Sequence, residues 1–237
     1  QVIEKATGKA IAGLKYTPTV TPVTPTGEDV TSTGKQGKVQ TGTPKFTEGD
    51  AEVPLKVDAG QPAKFVVNGT AVEETTIDAT KEGAKVGTYT IDPLTGEVTF
   101  TPNKDFVGTP DAVTVQVKDE NGTTATAKYT PTVTAVTPTG KDVTSTGKQG
   151  KVQTGTPKFT EGDTEVPLKV NADHPTKFIV NGTAVEDTKI DAIKDGAKVG
   201  TYEINPLTGE VTFTPNKDFV GTPDAVTVQV KDENGTI

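Results

Sequence analysis

His174 is the only imidazole in the chain, and Ser32 and Ser145 are its only serines. Such groups could act as a general base and an acyl-accepting nucleophile. That chemistry needs a strained elbow for the nucleophile and a base within hydrogen-bond reach, and neither serine lies in such a setting. The surroundings of His174 recur upstream with Gln61 in its place. An imidazole that one copy of a repeated unit lacks cannot be that unit's catalyst, so His174 reads as a solvated loop residue and the chain as no enzyme. The absence of Cys excludes thiolate catalysis and disulfide staples alike.

Oxygen donors are more plentiful. Asp119-Glu120-Asn121, Glu28-Asp29 and Glu48 with Asp50 could contribute to a calcium site. No calcium-loop spacing occurs, however, and Glu28 becomes Lys141 in the second copy. The reading is no metal and no other cofactor. Asp119 and Asn121, with their counterparts Asp232 and Asn234, are the candidate positions for a cation, and they are otherwise expected to form a solvated turn. Asn68, Asn121, Asn181 and Asn234 each open an Asn-Gly-Thr triplet, formally a glycan acceptor, yet each falls where a hairpin requires Asn-Gly. An amide bond between Lys35 or Lys38 and a late Asn such as Asn121 is a further chemistry open to these residues; intact mass would register it as one lost ammonia per bond. Sugar stacking is disfavoured, since there is no Trp and the few Phe residues alternate inward.

These residues sit in a duplicated framework. An offset of 113 positions aligns residues 26–124 with 139–237 without a gap; about fourteen positions differ, and residues 93–123 recur unchanged as 206–236. A period this long is one domain, not a solenoid turn. The hydrophobic fraction is 31 %, and Phe46, Phe65, Tyr89, Phe100 and Phe106 are the large anchors of the first copy, so Val and Ile must supply most of the burial and each module should be modestly stable. All 24 basic residues are Lys and the net charge is -8, which removes the guanidinium fork and the basic field that nucleic acid or an anionic membrane would need. There is no transmembrane run and no signal segment, and the chain opens on Gln1, so it reads as a piece of something longer.

The elements that carry the framework are strands. Val113-Thr114-Val115-Gln116-Val117 alternates with period two, as does Val98-Thr99-Phe100, and Tyr89 and Ile91 face inward if Thr90 faces out. Asn68-Gly69 marks a type I′ hairpin, Asp92-Pro93-Leu94-Thr95-Gly96 a turn between antiparallel strands, and Asp119-Glu120-Asn121-Gly122 a further hairpin turn. Seven or so strands per module predict an all-β protein built of tandem Ig-like antiparallel β-sandwiches arranged end to end. Lys15-Tyr16-Thr17-Pro18-Thr19-Val20-Thr21 repeats as residues 128–134, so residues 1–22 read as the tail of a preceding divergent repeat, with a hairpin running from Val2-Ile3 through Thr7-Gly8 to residues 10–20. Two phases fit: the strand around Tyr129 either ends a module or begins one. Keeping the hairpin at Asn121 intact favours the first, giving module 1 at 23–135 and module 2 at 136–237, the latter without its final strand. The joint through Pro131 and Pro138 should be short and extended, with the Gly-rich residues 32–37 close to it.

Gly87-Thr88-Tyr89-Thr90-Ile91-Asp92-Pro93-Leu94-Thr95-Gly96-Glu97-Val98-Thr99-Phe100-Thr101-Pro102 carries a resemblance. Phe106-Val107-Gly108-Thr109, Asp119-Glu120-Asn121-Gly122-Thr123, Tyr129-Thr130-Pro131-Thr132-Val133 and Ser32-Thr33-Gly34-Lys35-Gln36-Gly37 extend it. In this ordered set the chain resembles the CshA-type fibril repeat of streptococcal and related Gram-positive surface proteins. The resemblance implies a non-catalytic stalk of an extracellular, wall-anchored fibrillar adhesin, whose signal and anchor lie outside these residues. The partners it implies are neighbouring repeats of the same chain in an elongated monomeric rod. Direct adhesion, by calcium-dependent homotypic association or by binding a host matrix protein, is the alternative.

Overall fold

The computed structural model describes residues 15–237. The first module contains β1 (Thr26–Glu28), β2 (Val30–Lys35), β3 (Gln40–Gly42), β4 (Lys45–Thr47), β5 (Lys64–Val67), β6 (Thr70–Ala71), β7 (Thr76–Lys81), β8 (Ala84–Ile91), β9 (Val98–Pro102), β10 (Val113–Lys118) and β11 (Thr124–Thr134). One sheet has the order β2-β11-β10-β5-β6, a second β3-β9-β8-β7, and β1 pairs with β4 as a separate ribbon. The described residues contain strands and no helix, and the architecture is the expected Ig-like sandwich. Pairing is antiparallel with one exception: β2 runs parallel to β11, from Val30 opposite Tyr129 to Lys35 opposite Thr134.

Alternation explains the core. Val113, Val115 and Val117 of β10 and Phe65 of β5 face Tyr89, Ile91, Val98 and Phe100 of the other sheet, and all are buried. Tyr129 enters from β11; its ring lies 6.2 Å from that of Tyr89 in an edge-on arrangement, and its hydroxyl shares a 2.7 Å hydrogen bond with Ser32 Oγ. Burial of these phenols is tolerated because each finds a partner, Tyr89 donating to the Asp111 carbonyl at 2.9 Å. Gly42 is required beneath this cluster, since a Cβ there would run into the Tyr129 ring. Phe46 and Phe106 lie at the margin of the core, half-buried.

The turns follow their residues. Asn68 and Gly69 take φ of 51° and 78°, as type I′ requires. Glu82 and Gly83 do the same at 53° and 81°, although Glu is an unusual choice for the left-handed region. At the Pro93 turn, Asp92 Oδ1 accepts the Leu94 amide at 2.9 Å and the Asp92 carbonyl accepts the Gly96 amide at 2.8 Å.

The second module contains β12 (Thr139–Lys141), β13 (Gln153–Gly155), β14 (Lys158–Thr160), β15 (Lys177–Val180), β16 (Thr183–Val185), β17 (Lys189–Lys194), β18 (Ala197–Ile204), β19 (Val211–Pro215) and β20 (Thr227–Gln229). Its sheets, β13-β19-β18-β17 and β16-β15-β20, repeat the plan. Residues 143–148, the counterpart of β2, form no strand. In the first module β2 pairs with β11 alone. The buried cluster of the second module comprises Phe178, Ile204 and Val211, and Phe213 is half-buried where Phe100 is fully enclosed. The expected hairpin of the leader is not formed in its described part. Residues 15–21 are outside any strand, and Tyr16 is 88 % exposed where Tyr129, in the same heptapeptide, is 0 %. Residues 1–14, with Val2-Ile3 and Thr7-Gly8, lie outside the described residues.

Two outcomes follow from this packing. Phe100→Ala should cost the first module about 3–5 kcal/mol, and Phe213→Ala distinctly less in the second, as read from urea midpoints of the two transitions. Burial pushes the Tyr89 phenol well above its ordinary value, with repulsion from Tyr129 and Asp111 adding to it, and burial likewise raises Tyr129 against the lowering effect of its Ser32 bond. The unfolded chain releases these protons near pH 10, before the folded one does. Their contribution is therefore complete below about pH 10 and is lost as pH rises toward the elevated folded values, so the urea midpoint of the first module should fall above that pH.

Candidate functional site at the module junction

At the end of β2 the chain turns through residues 35–38, with the Lys38 amide donating to the Lys35 carbonyl at 3.0 Å and Gly37 at a φ of 76°. Gln36, at the tip, is 5 % exposed despite its polar side chain. Its amide donates to the Thr134 carbonyl at the end of β11, 2.8 Å. Its side-chain Nε2 donates to the Lys104 carbonyl at 3.1 Å and to Thr236 Oγ1 at 3.2 Å, while Oε1 accepts the Val136 amide at 3.3 Å. Asn234 Nδ2 donates to the Gln36 carbonyl at 2.9 Å. One residue thus joins β2, the loop after β9, the link between modules and a turn of the second module. Gly37 makes room for that turn, because a Cβ there would strike Asn234 Oδ1.

The turn that docks on Gln36 is residues 232–236, the duplicate of 119–123. Both Asp residues fold back under it. Asp119 Oδ1 accepts the amides of Asn121 and Thr123 at 2.9 and 2.8 Å, and Asp232 Oδ1 those of Asn234 and Thr236 at 2.9 and 2.8 Å. The expected solvated turn is therefore corrected at its first residue: Asp119 is 0 % and Asp232 1 % exposed, because each carboxylate satisfies amides of its own turn. Gln61 Nε2 donates to the Asp119 carbonyl at 3.2 Å. Gln61 Oε1 with Asp119 Oδ2, and His174 Nδ1 with Asp232 Oδ2, are buried without a hydrogen-bond partner in the protein. His174 is thus half-buried rather than solvated.

An ion pair flanks the junction. Lys35 Nζ lies 2.6 Å from Asp163 Oδ2 and 3.7 Å from Glu165 Oε2, both of the second module. The hydrogen bond to Asp163 holds the Lys35 amine above its ordinary value against some desolvation, and the same bond, helped by the Glu165 amide, holds the Asp163 carboxyl below its own. The pair therefore persists across neutral pH and is lost as pH falls through the lowered Asp163 value. All of these groups are solvent-accessible, so the pair steers orientation more than it stabilises.

Among the residues singled out from sequence, the junction brings Lys35, Lys38 and Asn234 together. The late Asn that reaches the turn at residues 35–38 is Asn234 of the following module, and Lys35 is engaged with Asp163. Asn121 and Gly122 are exposed on the opposite end of the first module. Ser32 Oγ donates to Gln40 Oε1 at 2.6 Å, and Ser145 Oγ to Gln153 Oε1 at 2.8 Å, so both serines serve the loop after the β2 position. No cluster of three or more His, Cys, Asp or Glu suited to a metal occurs among the described residues. Residues 32–37 lie at the joint as the sequence indicates, but the burial of Gln36 and the part played by Asp163 and Glu165 were not evident from it; the available signal was the unchanged duplication of Lys35-Gln36-Gly37 and of Asp232-Glu233-Asn234-Gly235-Thr236.

Residues 22–133 and 135–237 each match the surface adhesin CshA repetitive domain. The chain belongs to the CshA repeat family. No curated protein matches it. Among solved structures, this CshA repeat pair is similar to Sidekick-1 immunoglobulin domains 1–4, with 12 % identity, a TM-score of 0.27 and coverage of 81 % of this chain and 42 % of that one. It is also similar to the N-terminal eight Ig domains of Down Syndrome Cell Adhesion Molecule, at 11 % identity, a TM-score of 0.31 and coverage of 88 % and 27 %, and to murine CEACAM1b, at 14 %, 0.25 and coverage of 90 % and 93 %. The chain thus spans less than half of the first two. As CshA repeats, the two modules are a repeat region of a surface adhesin on the outside of the cell.

Gln36→Ala would leave the Lys104 carbonyl and the buried Val136 amide without partners, at a cost of about 1–3 kcal/mol to the junction. Hydrogen exchange at the Val136 amide should accelerate accordingly, while amides in β8 and β9 keep their protection.

Proposed function

We propose that these CshA repeats form a non-catalytic spacer: a stalk that projects a distal binding domain away from the cell wall. The observation that carries this reading is the Gln36 junction, where hydrogen bonds tie the turn at residues 35–38 of the first module to the link at Val136 and to the turn at residues 232–236 of the second. The link of residues 135–138, between β11 and β12, carries Pro138 and no glycine, and Val136 within it is 3 % exposed. A joint of this kind resists bending, so reach grows with copy number, by roughly 35–40 Å per module. The acidic surface, with its net charge of -8, opposes side-by-side association of stalks.

X-ray scattering and sedimentation of the 237-residue chain at micromolar concentration test the spacer. The expected result is an extended monomer whose dimensions do not change on adding calcium. A compact pair, or a calcium-dependent dimer, would overturn it in favour of direct homotypic adhesion.

A further inference from the structure

Tension on a stalk enters a module where its chain begins and leaves where its chain ends, so the strands at those two places decide how the load is carried. In the first module they are β2, entered through the short β1, and β11. They are also the one parallel pair among the described strands, matched from Val30 opposite Tyr129 to Lys35 opposite Thr134. The chain enters β2 at its Val30 end and leaves β11 at its Thr134 end, which are opposite ends of the ladder. A pull on the two termini of the module therefore drags the strands past each other along their common axis. The evenly spaced hydrogen bonds of a parallel pair are then loaded together. An entering strand antiparallel to β11 would instead be opened by the same pull from one end, one bond at a time.

Contacts along the ladder hold its register. Before β2, Asp29 Oδ1 accepts the Lys128 amide at 2.7 Å. At the far end the Thr134 carbonyl accepts the Gln36 amide at 2.8 Å, and Thr134 Oγ1 donates to the Gly34 carbonyl at 3.1 Å. Midway, Ser32 Oγ lies 2.7 Å from the Tyr129 hydroxyl, and Gln40 Nε2 donates to the Thr132 carbonyl at 3.1 Å. Creep by one residue is closed to the pair, because it would turn the buried Tyr129, Pro131 and Val133 to the outer face. The strands hold in register or separate altogether. The preceding β1 is exposed along its three residues and pairs with β4, so its release leaves the ladder in place.

We infer that the pair of β2 and β11 is a shear latch, which gives the repeat a second function beside spacing: bearing tension along the stalk. While the latch holds, residues 36–127 lie outside the path of the load and the core they form is not pulled on. The inference rests on the spacer reading, since a stalk held at both ends is what pulls a module in this direction. It adds that the two terminal strands, and not the core behind them, set the force a module survives.

The test is a constant-force measurement on the 237-residue chain, which has no Cys of its own, with pairs of introduced cysteines as handles. Thr21→Cys with Thr137→Cys pulls along the strands. Val39→Cys with Thr137→Cys pulls on the neighbouring ends of β2 and β11 and peels them apart. All three positions are exposed and outside any strand, and neither pair places the second module in the load path. The urea midpoints of both handled chains should match that of the unaltered chain, so that any difference is one of direction. At equal force the first module should survive roughly a hundredfold longer along the strands than on peeling, since forced unfolding is governed by the unfolding rate. Asp29→Ala removes the acceptor of the Lys128 amide, at the end of the ladder far from the peel. It should shorten the lifetime roughly tenfold along the strands and less than about twofold on peeling. Equal lifetimes in the two directions, a longer lifetime on peeling, or an equal effect of Asp29→Ala on both would each overturn the inference. Failure of the spacer reading would appear in the scattering profile instead, because these lifetimes are read on single, separately held chains.

Discussion

The seat of β11 between β10 and β2 is the constraint on which the first module depends. Through it Tyr129 and Val133 enter the core, β2 gains its only sheet partner, and the chain reaches the turn at residues 35–38, where Thr134 holds the Gln36 amide. In the second module the counterpart of β2, residues 143–148, is not a strand, and Phe213 is half-buried. Antiparallel hairpins on either side form locally, but a parallel pair across about a hundred residues forms only once the sandwich closes.

The junction depends on the same strand. Because β11 ends beside the turn at residues 35–38, a glutamine there can reach two carbonyl oxygens, a hydroxyl and an amide that belong to four different segments. A buried polar residue so fully satisfied specifies geometry more than it adds stability. The exposed ion pair from Lys35 to Asp163 supplements it with direction, since opposite charges at the rim favour one rotation of the modules over others.

Turn chemistry and alternation were legible in the chain. Asn68-Gly69, Asp92-Pro93 and the valines of β10 behave as their residue types require, because hairpin turns and strand faces depend on neighbours a few positions apart. Burial of Asp119 was not legible: a carboxylate in a turn is ordinarily solvated, and its enclosure depends on Gln61 and Leu55, distant in sequence, closing over the strand end. The half-buried His174 was missed for the same reason.

The heptapeptide Lys-Tyr-Thr-Pro-Thr-Val-Thr separates the two kinds of information. At residues 128–134 it is a buried strand, and at 15–21 it lies outside any sheet with Tyr16 exposed. By itself the sequence determined the repeat, its strand and turn residues and its acidic, cysteine-free surface, since these follow from composition and short-range spacing. Only the tertiary structure decided which copy of a segment is buried and which glutamine becomes a joint. Both outcomes require partners supplied from far along the chain, as Val30 of β2 and Tyr89 of the facing sheet supply them to Tyr129.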